Sequence, residues 1–493
     1  MFLPLPIAAT LLGCLTTASA ETILGVTVFS RHADRTSKHY HNPTLTNLGL
    51  QQALQLGSNY RDIYLSSISP KQILGISEDR YIHNQIFASS PDKPVYQDTA
   101  TAFFQSFYPP LNTLHDHDAS EQTLSNGTTI PAPLNGYQYV FLQSDSDSPN
   151  SIWTQGGDDC LINSNIADMY SGTAPYLDKV NAIRPFYQKF APLLKNVTDI
   201  TDLDSYLSFD NAYDIYDLLN TANIHNESMA GKISDQDLFQ LRTLADTHEF
   251  NSNYDEYNPS ASIAGRTLAG AMLNRINETI ASNGTKSKFS LLVGGYTSMI
   301  QFFGIFGLTE ANNDFYGLPD YASSMVFELF TEKNTTSFPA SEEDLKVRFL
   351  FRNGSSPDSS TSLKPFRLFG SDNDHRLSST SIPFTEFTFH LQQAAITSAP
   401  DWCSICSPGK PFCPSRYKTS PTGSDYHSSA GVSNATAGVI GAVVALVVVG
   451  GVGGGAFLVA RRRLVRLQAV TMEAGMAGDK MKGFEMEKVK SVE

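Results

Sequence analysis

The sequence predicts an α/β fold: a mixed, Rossmann-like sheet flanked by helices, with an inserted helical subdomain and a C-terminal transmembrane helix. Three observations predict it. Strand-like apolar runs at 23–29, 138–142, 289–293, 325–330 and 346–351 alternate with helical patterns, as expected of a sheet covered by helices. The stretch from about 170 to 285 shows helical periodicity and no convincing strand. The run 437–460 has no charged residue and stops at Arg461, Arg462 and Arg463.

The two ends set the compartment. Residues 1–20 are apolar and uncharged and close on Ala18-Ser19-Ala20, a small-residue cleavage signal. This segment reads as a signal peptide removed before Glu21, because its apolar core is too short to span a bilayer. The run 437–460 is long enough to span, and the arginines after it mark the cytoplasmic side. A polar tail follows, whereas a GPI signal would end apolar. The expected order is therefore an ectodomain over 21–414, a Ser/Pro/Gly-rich stalk over 415–436, the membrane helix, and a cytoplasmic tail over 461–493. That order describes a single-pass type I protein of the secretory pathway, destined for the plasma membrane or cell surface. Gly450-x-x-x-Gly454 and Gly451-x-x-x-Gly455 would let two such helices approach as a homodimer.

Candidate glycosylation sequons stand at Asn126, Asn196, Asn226, Asn277, Asn283, Asn334, Asn353 and Asn434, none of them in the tail. Cys14 leaves with the signal peptide, and Cys160, Cys403, Cys406 and Cys413 remain. In an oxidising compartment they predict two disulfides with three connectivities open. Cys403-x-x-Cys406 has no second ligand pair to complete a zinc site, so no metal and no cofactor is expected. The net charge is −14, the tail with eight Lys/Arg and five Asp/Glu is +3, and the ectodomain is left at −17. Such a body excludes a nucleic-acid surface and makes any anion pocket a local basic feature.

Within the ectodomain, 45–64 reads as a helix, with Leu50, Leu54 and Tyr60 supporting one face. Helical spacing recurs over 212–224. Over 234–250, Ser234 is the expected N-cap, with Asp237 three residues on.

The first strand ends in Arg31-His32-Ala33-Asp34-Arg35-Thr36-Ser37. Two guanidiniums can hold phosphate oxygens in fork geometry, and an imidazole between them can attack phosphorus. The competing reading is a basic surface loop. The segment resembles the R-H-G-x-R-x-P signature of the histidine acid phosphatases, the clade that includes phytases, and looks like a divergent fungal-type member. Here Ala33 replaces Gly and Ser37 replaces Pro. "LTNLGLQQALQLGSNYRDIY", "TATAFFQSFYPP", "YASSMVFELF" and "VRFLFRNGS" are similar to further segments of that family, in the same order. The resemblance implies that His32 is the nucleophile, that Arg31 and Arg35 clamp phosphate, and that the ligand is phosphate or a phosphomonoester.

The same resemblance exposes departures. The family's second-half His-Asp pair falls on Gly295 and Tyr296 within "SLLVGGYTSM". That His contacts phosphate in the family, and that Asp protonates the leaving group. The family arginine before the S-A-x-x-F segment is represented only by Lys93. Lys93, Gly295 and Tyr296 are accordingly expected at the pocket. Among substitute acids, Asp34 is expected to be structural, His248-Glu249 to be a surface helix end, and "HDHD" at 115–118 a solvated loop. Two functions follow: a cell-surface phosphatase working through phospho-His32 with a degraded general acid, or a weak or inactive pseudophosphatase serving as a binding module.

Overall fold

The computed structural model describes residues 21–114, 120–144, 146–195, 197, 200–356, 362–370, 379–406 and 410–414. These lie in one unit, Met1–Thr419. A second unit, Ser420–Glu493, falls wholly outside the described residues. So do the expected signal peptide, stalk, membrane helix and tail, the "HDHD" loop, and sequons Asn196 and Asn434. Among the described residues no helix is long and apolar enough to cross a membrane.

An eight-stranded mixed sheet organises the described chain. Its strands are β1 (Thr22–Arg31), β2 (Ile86–Ser90), β5 (Gln143–Ser144), β6 (Phe289–Gly294), β7 (Ser324–Thr331), β8 (Lys346–Arg352), β9 (Lys364–Phe366) and β10 (Ser381–Pro383). A separate two-stranded hairpin holds β3 (Glu121–Thr123) and β4 (Thr129–Pro131). The order across the large sheet is β10-β8-β7-β1-β6-β2-β5, with β9 beside β8. β1 runs parallel to β6 and antiparallel to β7. It is therefore central and covered on both faces, which is why "ILGVTVF" is continuously apolar.

The expected strand at 138–142 is not one. Gln138 fixes that segment through its side chain, its amide donating to Asp79 and Pro109 carbonyls and accepting from the Tyr81 N–H. Tyr139 and Phe141 stay exposed, and pairing begins only at Gln143. β2 was not expected, because "IFASS" is short and only Ile86, Ala88 and Ser90 face inward.

Helix α1 (Asn47–Tyr64) and helix α2 (Pro94–Phe107) pack together on one face of the sheet. The buried stripe of α1 is Gly49, Ala53, Leu56, Gly57, Tyr60 and Tyr64, while Leu48, Leu50 and Leu54 are exposed. The leucines mislead because backbone approaches the helix on its other side. A Cβ on Gly49 would stand 2.0 Å from the Asp34 carbonyl oxygen, and one on Gly57 would stand 2.0 Å from that of Phe103. The helices Ile263–Ala281, Tyr296–Ile305 and Phe384–Gln392 cover the other face.

Between β5 and β6 the described residues form helices and loops. The helices Ala174–Gln188, Ala212–His225 and Asp235–Asn253 enclose their own core around Tyr187, Phe209, Leu219 and Leu241. Ser234 caps the third of them, its Oγ accepting from the Asp237 N–H. The disulfides join Cys160 to Cys406 and Cys403 to Cys413. Asn126, Asn226, Asn277, Asn283, Asn334 and Asn353 are exposed.

Candidate active site

The central strand delivers the motif. Arg31 pairs with Gly294 in register, and the chain is then tied down residue by residue. His32 donates its N–H to the Gly294 carbonyl and accepts from the Ala322 N–H. Ala33 N–H reaches Thr99 Oγ1 on α2, and Asp34 N–H reaches Gln52 Oε1 on α1. The segment thus sits at the carboxyl edge of the parallel strands, where α/β sheets place ligands.

His32 is buried, its ring centroid 5.4 Å from that of Tyr96 and 5.5 Å from that of Tyr321. Its Nδ1 lies 2.9 Å from the Ala33 carbonyl oxygen. A carbonyl can only accept, so Nδ1 carries the proton and Nε2 presents its lone pair. Burial holds the imidazole pKa well below its usual value, and Arg31, Arg35 and Lys38 push it further down. The ring is therefore neutral, the form that can attack phosphorus.

The arginines take different positions. The Arg31 guanidinium packs over Tyr321, 4.4 Å from the ring centroid, and over Tyr296 at 5.1 Å. It donates to the Pro319 carbonyl, while its buried Nε has no hydrogen-bond partner among the described residues. Arg35 is engaged at both terminal nitrogens. Its Nη1 lies 3.1 Å from Asp217 Oδ2, its Nη2 3.1 Å from Asp217 Oδ1, and Nη2 also donates to the Tyr213 hydroxyl at 3.1 Å. The expected open phosphate fork is thus closed by a carboxylate.

Asp217 also accepts from Ser37 Oγ at 2.8 Å, the Lys38 N–H at 2.7 Å and the Tyr321 hydroxyl at 3.2 Å. Burial opposes its charge, but Arg35 and these donors outweigh burial and lower its pKa. Sequence reasoning missed Tyr213 and Asp217. Their i,i+4 spacing on the helix Ala212–His225 was visible, but nothing local connects them to a motif some 180 residues earlier.

The opposite wall lacks a free acid at the expected place. Tyr296 opens the helix Tyr296–Ile305, and its hydroxyl donates to Glu249 Oε2 at 2.7 Å. Burial raises the phenol's pKa well above its ordinary value, as do Glu249 and Tyr213. Glu249 in turn pairs with His248 Nδ1 at 3.0 Å. His248-Glu249 is thus a largely buried brace behind Tyr296, not the expected surface helix end. Gly295 leaves room, since the nearest atom to a Cβ there would be the Tyr96 hydroxyl at 3.5 Å. Asp34 is structural, accepting from Thr46 Oγ1 and facing His225 Nε2.

Lys93 stands at the rim, 57 % exposed, its Nζ 3.8 Å from Asp158 Oδ2. Lys38, which the sequence did not single out, holds its ammonium 5.4 Å over the Tyr213 ring and 6.0 Å over Tyr296. Beside Arg31, Tyr321 and Asp217 opens a cavity of about 310 Å³, further lined by Arg242, Asp320 and Asn353. Of the expected site residues only Arg31 lines it; His32, Arg35, Lys93, Gly295 and Tyr296 do not.

Solved structures with this architecture include the phytase of Klebsiella sp., 13% identical, covering 77% of this chain and 97% of its own, with a TM-score of 0.50. The phytase of Citrobacter braakii is likewise 13% identical, covering 77% of this chain and 99% of its own, with a TM-score of 0.50. At such identity the likeness concerns the fold. No curated protein sequence matches the chain. The family model for the histidine phosphatase superfamily, branch 2, matches residues 39–352. The match begins just beyond the Arg31–Arg35 motif, so the site's reading rests on the geometry above and the membership on the body of the chain. This chain belongs to branch 2 of the histidine phosphatase superfamily.

Proposed function

We propose that the protein binds phosphomonoesters at Arg31, His32 and Arg35 and hydrolyses them through phospho-His32, with proton delivery from the Gly295–Tyr296 wall lost. The observation that carries this reading is His32 itself. It is a neutral, buried imidazole with Nδ1 bound to Ala33, set beside two buried arginines at the carboxyl edge of β1. In this scheme Nε2 attacks phosphorus and the P–O ester bond breaks. Water then releases phosphate from the nitrogen. General acid assistance typically supplies about 10²–10⁴ in rate, and its loss weighs most on poor leaving groups.

A second reading, a binding module without turnover, is favoured by one observation: Asp217 occupies the Arg35 fork. An assay of the full-length chain on an aryl phosphate, with His32→Ala as control, separates the two. Turnover abolished by the substitution supports the hydrolase. Phosphate binding without turnover supports the module. The proposal keeps the membrane placement that 437–460 and the arginines after it favour, with the site outside the cell.

A further inference from the structure

We propose that Asp158 is the proton donor to the leaving group, reaching the reacting ester from the rim of α2 instead of the end of β6. This rests on the hydrolase reading above and supplies the acid that Gly295 and Tyr296 do not.

Asp158 lies in the turn after the short helix Ile152–Gln155. That helix sits over the carboxyl end of β6, the Thr154 carbonyl oxygen being 3.5 Å from where a Cβ on Gly294 would stand. Four contacts fix the turn. Trp402 Nε1 donates to the Gly156 carbonyl at 2.7 Å. Gly156 is pressed against Thr267, where a Cβ would meet Oγ1 at 2.0 Å. Cys160 is bonded to Cys406, and Asp159, at φ 59, pairs with Lys410 at 2.7 Å.

The anchored turn sets Asp158 beside Lys93, just before α2. Its Oδ2 is 3.8 Å from Lys93 Nζ and 3.1 Å from Gln155 Nε2. Lys93 precedes α2, and the first turn of that helix carries Tyr96. The Tyr96 ring packs on His32, and its hydroxyl borders the space left by Gly295. Asp158, Lys93, Tyr96 and His32 therefore follow one another from rim to nucleophile. The Asp158 side chain remains 62 % exposed, so an entering ester can reach it. Despite that exposure, partial desolvation by the surrounding turn raises its carboxyl pKa, with Asp159 adding to the effect, while Lys93, Lys410 and Lys38 oppose it. Tyr96 also feels the Asp158 charge. An acid with a raised pKa keeps its proton to higher pH, as a general acid must.

The chemistry balances. As His32 Nε2 forms its bond to phosphorus, the P–O bond to the alkyl group breaks and the Asp158 carboxyl proton passes to the departing oxygen, giving an alcohol. In the second step the Asp158 carboxylate takes a proton from water as its oxygen attacks phosphorus and the N–P bond breaks. Phosphate leaves, and Asp158 is again protonated.

The test compares leaving groups in the full-length chain, with Asp158→Asn against wild type on p-nitrophenyl phosphate and on glycerol 2-phosphate. The pair with Lys93 is an exposed one, of the kind worth about 0–1 kcal/mol, so the variant folds. Expected is a fall of about 10²-fold or more in kcat/KM, which reports the steps up to leaving-group departure, for the alkyl ester, with loss of the alkaline limb of its pH profile, and a change of less than about threefold in kcat/KM for the aryl ester. Asp178→Asn, on the exposed face of the helix Ala174–Gln188 and away from this turn, leaves both unchanged. Equal losses on the two esters, or no loss on the alkyl ester, overturn the assignment. Wild-type turnover of the aryl ester alone also overturns it while sparing the hydrolase reading, and absence of any His32-dependent turnover overturns both.

Discussion

Asp217 meets Arg35 edge to edge, each carboxylate oxygen 3.1 Å from a different guanidinium nitrogen, with both side chains about 3% exposed. The pair joins the first strand's motif to the helical insert, so that the insert helps to shape the anion site. It also sets the terms on which phosphate enters. An incoming dianion has to share Arg35 with a carboxylate already bound there, leaving Arg31, whose buried Nε has no hydrogen-bond partner among the described residues, as the donor with spare capacity.

Asp217→Asn should therefore change stability and binding in opposite directions. Breaking a buried pair costs about 3 kcal/mol or more, so the melting temperature falls. The freed guanidinium should bind inorganic phosphate about tenfold more tightly, the worth of one charge-assisted contact. Calorimetry on the folded variant that found weaker binding would show Asp217 to be a support of the site instead of a competitor for it.

Gly295→His should tighten phosphate binding by about tenfold, since a hydrogen bond to a charged group is worth about 1.5–3 kcal/mol. The backbone there is ordinary, at φ −91, and the space before the Tyr96 hydroxyl is open. Titration with phosphate, read by calorimetry, checks it; an unchanged affinity would mean that the new ring does not reach the anion.

Tyr296→Phe removes one hydrogen bond to Glu249 and should cost about 1 kcal/mol of stability while leaving kcat on aryl and alkyl phosphates unchanged. The phenol's pKa is raised and its proton is spent on Glu249, which makes it a poor donor to substrate. A selective loss of alkyl-phosphate turnover would make Tyr296 the acid after all.

His32 gives a pH-dependent stability. Its folded pKa is depressed by burial and by the arginines. Below about pH 6.5 the unfolded chain gains a proton at this position that the folded chain does not take up. Wild-type stability should then decline as pH falls through that window, and His32→Asn should not share this term. The variant's unfolding free energy, relative to wild type, should rise by up to about 1.4 kcal/mol per pH unit on acidification. Parallel denaturation curves between pH 8 and 5 decide the point, and a constant difference would mean a protonated His32 in the fold.

Replacing Cys160 and Cys406 together with Ala should cost about 2–5 kcal/mol and release the turn that carries Asp158. Alkyl-phosphate turnover should fall by more than aryl-phosphate turnover at a temperature where the variant is still folded. Equal losses would mean that the bond serves the fold alone.

Much was legible because it was local. The apolar run into Arg31, the helix after Thr46, the Ser234 cap and the departures at Gly295 and Tyr296 each sit within a few residues, where period and side-chain type speak directly. The buried stripe of α1 shows where that legibility ends. Leucines usually mark the inward face, but here two glycines do, because neighbouring backbone comes too close for any side chain.

Chain order therefore settled which groups could do the chemistry: an imidazole, two guanidiniums and a phenol in place of a carboxylic acid. Their availability depended on contacts between residues far apart in the chain, which no spacing rule encodes. Asp217 takes the fork of Arg35 from an insert about 180 residues away, Glu249 takes the proton of Tyr296, and a disulfide spanning 246 residues pins the turn of Asp158 beside Lys93. Burial alters a charge only in company with its neighbours, and those neighbours are chosen when the chain folds.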